Sequence, residues 1–119
     1  MIGQPTGNSV FASGSAVAPG AGAAVCTLAA GSLPAGLYHV LAYGAYGATA
    51  GGDSDMAVKA GATTLVTLPI DAVINGAFAP AVEFVRSLDG ATALTVNSVA
   101  GGGAGSVYKA VIVATPIRS

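Results

Sequence analysis

The stretch VAGGGAGSVYKAVIVATPI, residues 99–117, has four glycines among its first seven residues and then runs almost entirely through apolar side chains. Lys109 is its single charged residue. In a strand, successive side chains point to opposite sides of the sheet. Here both sides are apolar: Val107, Val111 and Val113 share one, and Tyr108, Ala110 and Ile112 share the other. The stretch therefore predicts a strand with no side suited to water, reached through a glycine-rich connection.

A second stretch, LYHVLAYGAY at residues 37–46, has the same property. A strand of an antiparallel sheet that faces solvent on one side normally alternates apolar and polar residues. Because these two strands do not, we expect the outer face of one sheet to be covered. The cover could be an N-terminal arm, another subunit or a larger assembly.

The rest of the chain also predicts strands. Short alternating or β-branched segments recur at a spacing of about 8–12 residues, with turn residues between them. This pattern predicts an all-β protein, a two-sheet antiparallel β-sandwich with jelly-roll or Greek-key-like connectivity. We expect residues 24–119 to form this single domain. Residues 1–23, rich in Gly, Ser, Ala and Pro, are expected to be a flexible or extended N-terminal arm, or a loosely held strand.

Two turns in the sequence predict hairpins. Met56 and Val58 alternate with more polar neighbours, and residues 60–62 form a tight reversal before TTLVTL returns. Asp89 and Gly90 form a strong hairpin dipeptide, which predicts that residues 80–88 pair with residues 91–99. Residues 71–75 fit either a helical turn or a strand.

The composition excludes several functional classes. The chain has 119 residues, of which 53% are hydrophobic and 8% charged, and its net charge is −1. With no basic patch, nucleic acid is not an expected partner. Gly31, Pro34, Gly36 and His39 interrupt the longest apolar window, so no membrane span is expected. The N-terminal MIGQPTGNS lacks the basic residue of a secretory leader, and we expect the mature chain to begin there.

Residue types that carry chemistry are few and scattered. His39 is the only histidine and is expected to be a structural or partly exposed strand residue. Cys26 is the only cysteine and is expected to be buried. Asp53 and Asp55 could approach a calcium ion but lack further carboxylates, so a solvated loop is expected. The sequence therefore nominates no catalytic residue, cofactor or metal, and it predicts a protein that is not an enzyme.

Three segments together carry a resemblance to a known class. LPAGLYHVLAYGAYG, MAVKAGATTLVTLPI and DGATALTVNSVAGGGAGSVYKAVIVATPI resemble, over residues 24–117, small jelly-roll-type phage structural proteins, and above all capsid decoration (cement) proteins. The resemblance implies a non-enzymatic virion protein, made in the host cytoplasm, that sits as a homo-oligomer, commonly a trimer, on the outside of an icosahedral capsid. Its implied partners are the major capsid protein and further copies of itself, and its implied action is to stabilise the shell by bridging coat subunits.

Two alternatives stay open. A carbohydrate- or receptor-binding β-module of a phage tail or adhesin would use Tyr38, Tyr43 and Tyr46 as a stacking face. A tail or head-completion component would have the same sandwich. For the capsid role we expect contacts on residues 4–18 and on the exposed face of residues 37–46. The predicted interface residues are Val10, Phe11, Tyr38, Tyr43, Tyr46 and Tyr108.

Overall fold

The computed structural model describes residues 9–17, 22–47, 52–53, 55–68, 71–72, 77–78, 81–99 and 107–117. These residues contain eleven strands: β1 (Val10–Val17), β2 (Ala24–Leu28), β3 (Gly36–Gly47), β4 (Gly52–Asp53), β5 (Met56–Ala60), β6 (Thr63–Leu68), β7 (Asp71–Ala72), β8 (Ala77–Phe78), β9 (Val82–Leu88), β10 (Leu94–Ser98) and β11 (Val107–Pro116). They contain no helix, and hence none with the length and apolar character needed to cross a membrane.

The long strands form two antiparallel sheets. Sheet I has the order β1-β11-β3, with β9 and the short β8 both paired to the far edge of β3. Sheet II has the order β2-β10-β5-β6. The two-residue strands β4 and β7 pair with each other. The predicted all-β sandwich is confirmed.

The connectivity is that of a jelly roll. Each early strand pairs with a late one, β1 with β11, β2 with β10, β3 with β9, and β5 with β6. The chain is thus one long antiparallel ribbon whose tip is the β5–β6 turn. Rolling the ribbon up sends successive pairs to alternate sheets, which produces the observed strand orders.

The core lies between the sheets and follows the predicted alternation. In β11, Tyr108, Ala110 and Ile112 are buried, whereas Val111 and Val113 on the other side are only half-buried. The buried cluster consists of Val25, Cys26, Leu28, Leu33, Tyr38, Val40, Ala42, Met56, Val58, Leu68, Leu94, Val96, Tyr108, Ala110, Ile112 and Ala114. The predicted burial of Cys26 is confirmed.

One predicted hairpin is confirmed and the other is wrong. β5 and β6 pair around a turn at Gly61 and Ala62, where Gly61 has φ of 57°. By contrast, β9 and β10 do not pair: β9 belongs to sheet I and β10 to sheet II. Asp89 and Gly90 carry the chain across the sandwich instead, because in a rolled ribbon these two consecutive strands must lie in different sheets.

Part of the expected N-terminal arm is a strand of sheet I. β1 pairs with β11 continuously over eight residues, and its Val10 and Ala12 pack against the core. At Gly14 the two sheets come so close that a Cβ atom there would lie 2.1 Å from the carbonyl oxygen of Val25. The described part of the arm therefore lengthens the sheet at its edge and does not lie across its outer face. The division of the chain at residue 23 stays a prediction.

Other segments of interest are described only in part. Of residues 71–75, Asp71 and Ala72 form β7, which favours the strand over the helical turn for these two residues. The glycine run at 101–105 and Ser54 of the acidic loop lie outside the described residues.

Candidate functional site

The outer face of sheet I carries a continuous group of apolar side chains. Strand register places Phe11, Val113 and Leu41 in one row across β1, β11 and β3. Neighbouring rows add Val111 beside Tyr43, and Val85 and Leu37 near the β3–β9 edge. Paired residues of antiparallel strands project from the same side. We call this set the apolar face: Phe11, Leu37, Leu41, Tyr43, Val85, Val111 and Val113.

These side chains reach solvent to an unusual extent. Five large apolar side chains are exposed in the described part of the chain, and four of them belong to the apolar face. Phe11 is 69% exposed, Val85 57%, Tyr43 45% and Leu37 43%. Single exposed apolar residues are ordinary, but a contiguous patch of them marks an interaction surface. The prediction that two strands are apolar on both sides is confirmed, and both lie in sheet I; the expected cover of that face stays a prediction.

A polar pair lies inside the apolar face. His39 Nε2 and Glu83 Oε2 are 2.9 Å apart, with 39% and 65% of their side chains exposed. The expectation of a partly exposed strand histidine is confirmed. An exposed pair of this kind contributes little to stability because water screens it and two side chains are immobilised. It gives the apolar face a polar point that a partner would have to match.

Five of the six predicted interface residues have described side chains, and these separate between the two sides of sheet I. Phe11 and Tyr43 lie on the apolar face. Val10 is half-buried and packs against the core. Tyr38 and Tyr108 are fully buried between the sheets, so they offer no surface to a partner. For Tyr46 the structure describes the backbone, which pairs with Tyr108, and not the side chain.

The burial of Tyr38 also removes it from the proposed sugar-stacking face. Tyr38 and Tyr43 are five residues apart on one strand, so they point to opposite sides of the sheet. The hydroxyl of Tyr38 donates a hydrogen bond to the carbonyl oxygen of Pro34 at 2.7 Å. Burial raises the pKa of Tyr38. Tyr38 is therefore a core residue with its one polar group satisfied.

The six interface residues predicted from sequence left out five members of the apolar face: Leu37, Leu41, Val85, Val111 and Val113. The signal was present: Leu37 and Leu41 share the odd-numbered side of β3 with Tyr43. The aromatic residues Tyr38 and Tyr43 lie on opposite sides of β3, whereas residues of one parity all lie on the same side. Val85 could not be placed on the apolar face from sequence. Its strand was predicted to pair with residues 91–99, whereas it pairs with β3.

The described part of the chain offers neither a metal-binding cluster nor an exposed thiol. No group of three or more His, Cys, Asp or Glu residues is arranged there to hold a metal ion. Burial raises the pKa of the Cys26 thiol, and a protonated thiol is a poor nucleophile. Among the described residues, the feature that stands out on the surface is the apolar face.

Comparisons with known proteins give a distant likeness in structure and none in sequence. No family model matches the chain, and no curated protein matches it. Among solved structures, the chain is similar to the PRD1 vertex protein P5, with 17% sequence identity and a TM-score of 0.49. The match covers 94% of this chain and 99% of that one.

Proposed function

We propose that this chain is a non-enzymatic structural protein of a phage virion that binds the outside of an icosahedral capsid and bridges coat subunits through the apolar face. The observation that carries the proposal is the exposure of Phe11, Tyr43 and Val85 together on one side of sheet I. The resemblance of the sequence to capsid decoration proteins supports the choice of partner. In this role the major capsid protein covers the apolar face, and the protein works in the virion after synthesis in the host cytoplasm.

Bridging requires buried area and shape, and no catalytic group. Burying a Val, Leu or Phe side chain that water otherwise surrounds contributes about 1.5–3 kcal/mol. A standard interface removes about 800 Å² per partner from water. The apolar face can supply the central part of such an interface. On a symmetric shell, repetition and self-association add avidity to contacts that are individually weak. The trimer implied by the resemblance stays a prediction.

The first experiment places the protein in the particle. Virions of the phage whose genome encodes this chain are purified, and its copies are counted against the coat subunit. A copy number comparable to that of the coat supports a shell position. A few copies per particle would contradict it and would favour a tail or head-completion component.

The second experiment tests the mechanism with a matched pair of variants. Purified protein is added to shells that lack it, and the temperature of shell disruption is measured. The wild type should raise this temperature. Val85→Ser, on the apolar face, should weaken binding by about 1 kcal/mol per copy and should therefore raise the disruption temperature less than the wild type does. Val99→Ser is the control, because Val99 is 48% exposed but lies beyond the end of β10, off the apolar face. Equal disruption temperatures with the two variants would contradict the proposed contact surface.

A further inference from the structure

The free edge of β1 has none of the features that usually protect an edge strand. Among the described residues, β1 pairs with β11 alone, without a register shift over its eight residues. Its sequence, VFASGSAV, contains no charge and no proline. An exposed strand edge invites pairing with another strand, and proteins normally prevent this with charges, prolines or bulges.

The three other long edges of the two large sheets do carry such protection. β9 has Glu83 and Arg86 within its seven residues. The pairing of β6 with β5 skips one residue, Leu65, so that edge contains a bulge. The pairing of β2 with β10 skips Val25, so that edge contains a bulge as well. The long, regular and neutral edge of β1 stands out against these three.

The sequence of β1 is also close to self-complementary about Gly14. In an antiparallel pair of two copies centred on Gly14, Ser13 stands opposite Ser15, Ala12 opposite Ala16, and Phe11 opposite Val17. Each position thus meets a residue of its own chemical class. A contact made by the same patch on both subunits about a two-fold axis requires such self-complementarity.

We propose that two copies of this chain pair through β1, antiparallel and centred on Gly14, so that their two sheets I become one continuous sheet. The occupant of the β1 edge is a second copy of this chain. The pairing satisfies the outward backbone groups of both strands. It also places Phe11, the most exposed of the large apolar side chains among the described residues, opposite position 17 of the partner strand. The two apolar faces then adjoin on the same side of the joined sheet. This inference goes beyond the proposed function and holds with or without a shell.

The register can be tested by disulfide trapping in the full chain. Ser13→Cys and Ser15→Cys variants are mixed and oxidised. Directly opposite residues have Cβ atoms about 4.5–5.5 Å apart, close to disulfide range, whereas diagonal ones are about 7–8 Å apart. The mixture should therefore give a linked dimer as its main product, and either variant alone should give traces. Native Cys26 is buried and does not compete.

A matched control and a second measurement keep the test decisive. Thr27→Cys places an exposed thiol on the edge strand β2. A mixture of Ser13→Cys and Ser15→Cys that links no faster than Thr27→Cys overturns the proposal.

In sedimentation, the wild type should show a concentration-dependent dimer. Ser13→Lys, which brings two ammonium groups near the axis, should weaken that dimer at least tenfold, ~1.4 kcal/mol, without changing the circular dichroism. A wild type that stays monomeric, or forms only trimers, overturns the proposal. Both measurements omit shells, so their failure leaves shell binding separately testable.

Discussion

The outer faces of the two sheets differ, although the inner faces are alike. Across sheet II, one row of paired residues reads Thr27, Thr95, Lys59 and Thr64. The corresponding kind of row across sheet I reads Phe11, Val113, Leu41 and Glu83. On sheet II the polar groups also bond to one another: the hydroxyl of Thr95 donates to the side-chain oxygen of Asn97, whose amide donates to the carbonyl of Gly22. The outer face of sheet II is therefore suited to contact with water, whereas the outer face of sheet I is not.

The difference separates what folding requires from what a partner requires. Both sheets close the same core with one apolar side each, and sheet II does so with a polar outer face. An apolar outer face is therefore not needed for this sandwich to fold. Exposing it favours aggregation, so its presence in sheet I calls for an explanation outside the single chain. Covering by a partner supplies that explanation.

The largest effect on the comparison is expected from a change that displaces β1, the edge strand of sheet I. Gly14→Ala places a Cβ atom 2.1 Å from the backbone oxygen of Val25, and backbone yields little. We expect a loss of about 3 kcal/mol in the free energy of unfolding, measured by urea denaturation. Gly44→Ala is the control. Its Cβ would meet the sulfur of Met56 at 2.8 Å, and that flexible side chain can move aside, so the loss should be smaller. Equal stability of Gly14→Ala and wild type would contradict the close approach of the sheets.

A second test compares the two sides of one strand. Ile112 is fully buried, and its neighbour Val113 is half-buried on the apolar face. Ile112→Ala should lower the free energy of unfolding by about 3 kcal/mol, because it leaves a cavity in the core. Val113→Ala should cost less than about 1 kcal/mol, because in the single chain water still reaches that site. Thermal unfolding at low protein concentration measures both. Similar losses would mean that the apolar face is already covered within one chain.

A third test exchanges the character of the two outer faces with substitutions of nearly equal shape. Val85 and Thr27 are both exposed on edge strands, one in sheet I and the other in sheet II. Val85→Thr should shorten retention on a hydrophobic-interaction column, and Thr27→Val should lengthen it. Neither should change stability by more than about 0.5 kcal/mol, since both sites are on the surface. Shifts in the same direction would show that the column does not report the apolar face.

Much of this comparison could be predicted from sequence because alternation depends only on local geometry. The parity of β11 gave its two sides directly, and the alternation in β5 put Met56 and Val58 on one side, which the structure shows to be buried. The sheet to which a strand belongs depends on distant partners. Asp89 and Gly90 fit a hairpin locally, and only the rolling of the whole ribbon separates β9 from β10. For the same reason, nothing within residues 10–17 indicated that they would pair with β11, nearly a hundred residues away.

The smallest expected effect concerns the loop that links the two sheets. The carboxylate of Asp89 accepts hydrogen bonds from the Thr92 hydroxyl and from the backbone N–H groups of Ala91 and Thr92, at 2.7, 2.8 and 2.8 Å. These bonds, led by the one from the Thr92 hydroxyl, lower the pKa of Asp89. Because the folded-state pKa lies below the unfolded one, the stabilisation is present above the unfolded pKa and is lost as the pH falls through the folded pKa.

Asp89→Asn should therefore be less stable than wild type near neutral pH, by a small margin because the loop is exposed, and the margin should close as the pH falls below about 4. Thr92→Val removes one donor and should show the same trend more weakly. Unfolding followed by fluorescence of the tyrosines across this pH range measures both. A constant margin down to about pH 2 would mean that the carboxylate's charge does not stabilise the crossing. The crossing would then depend on Gly90, whose φ of 77° and whose Cβ position, 2.8 Å from the Ala35 nitrogen, leave no room for a side chain. In that event the same dipeptide that suggests a hairpin locally would direct the chain to the second sheet by backbone geometry alone.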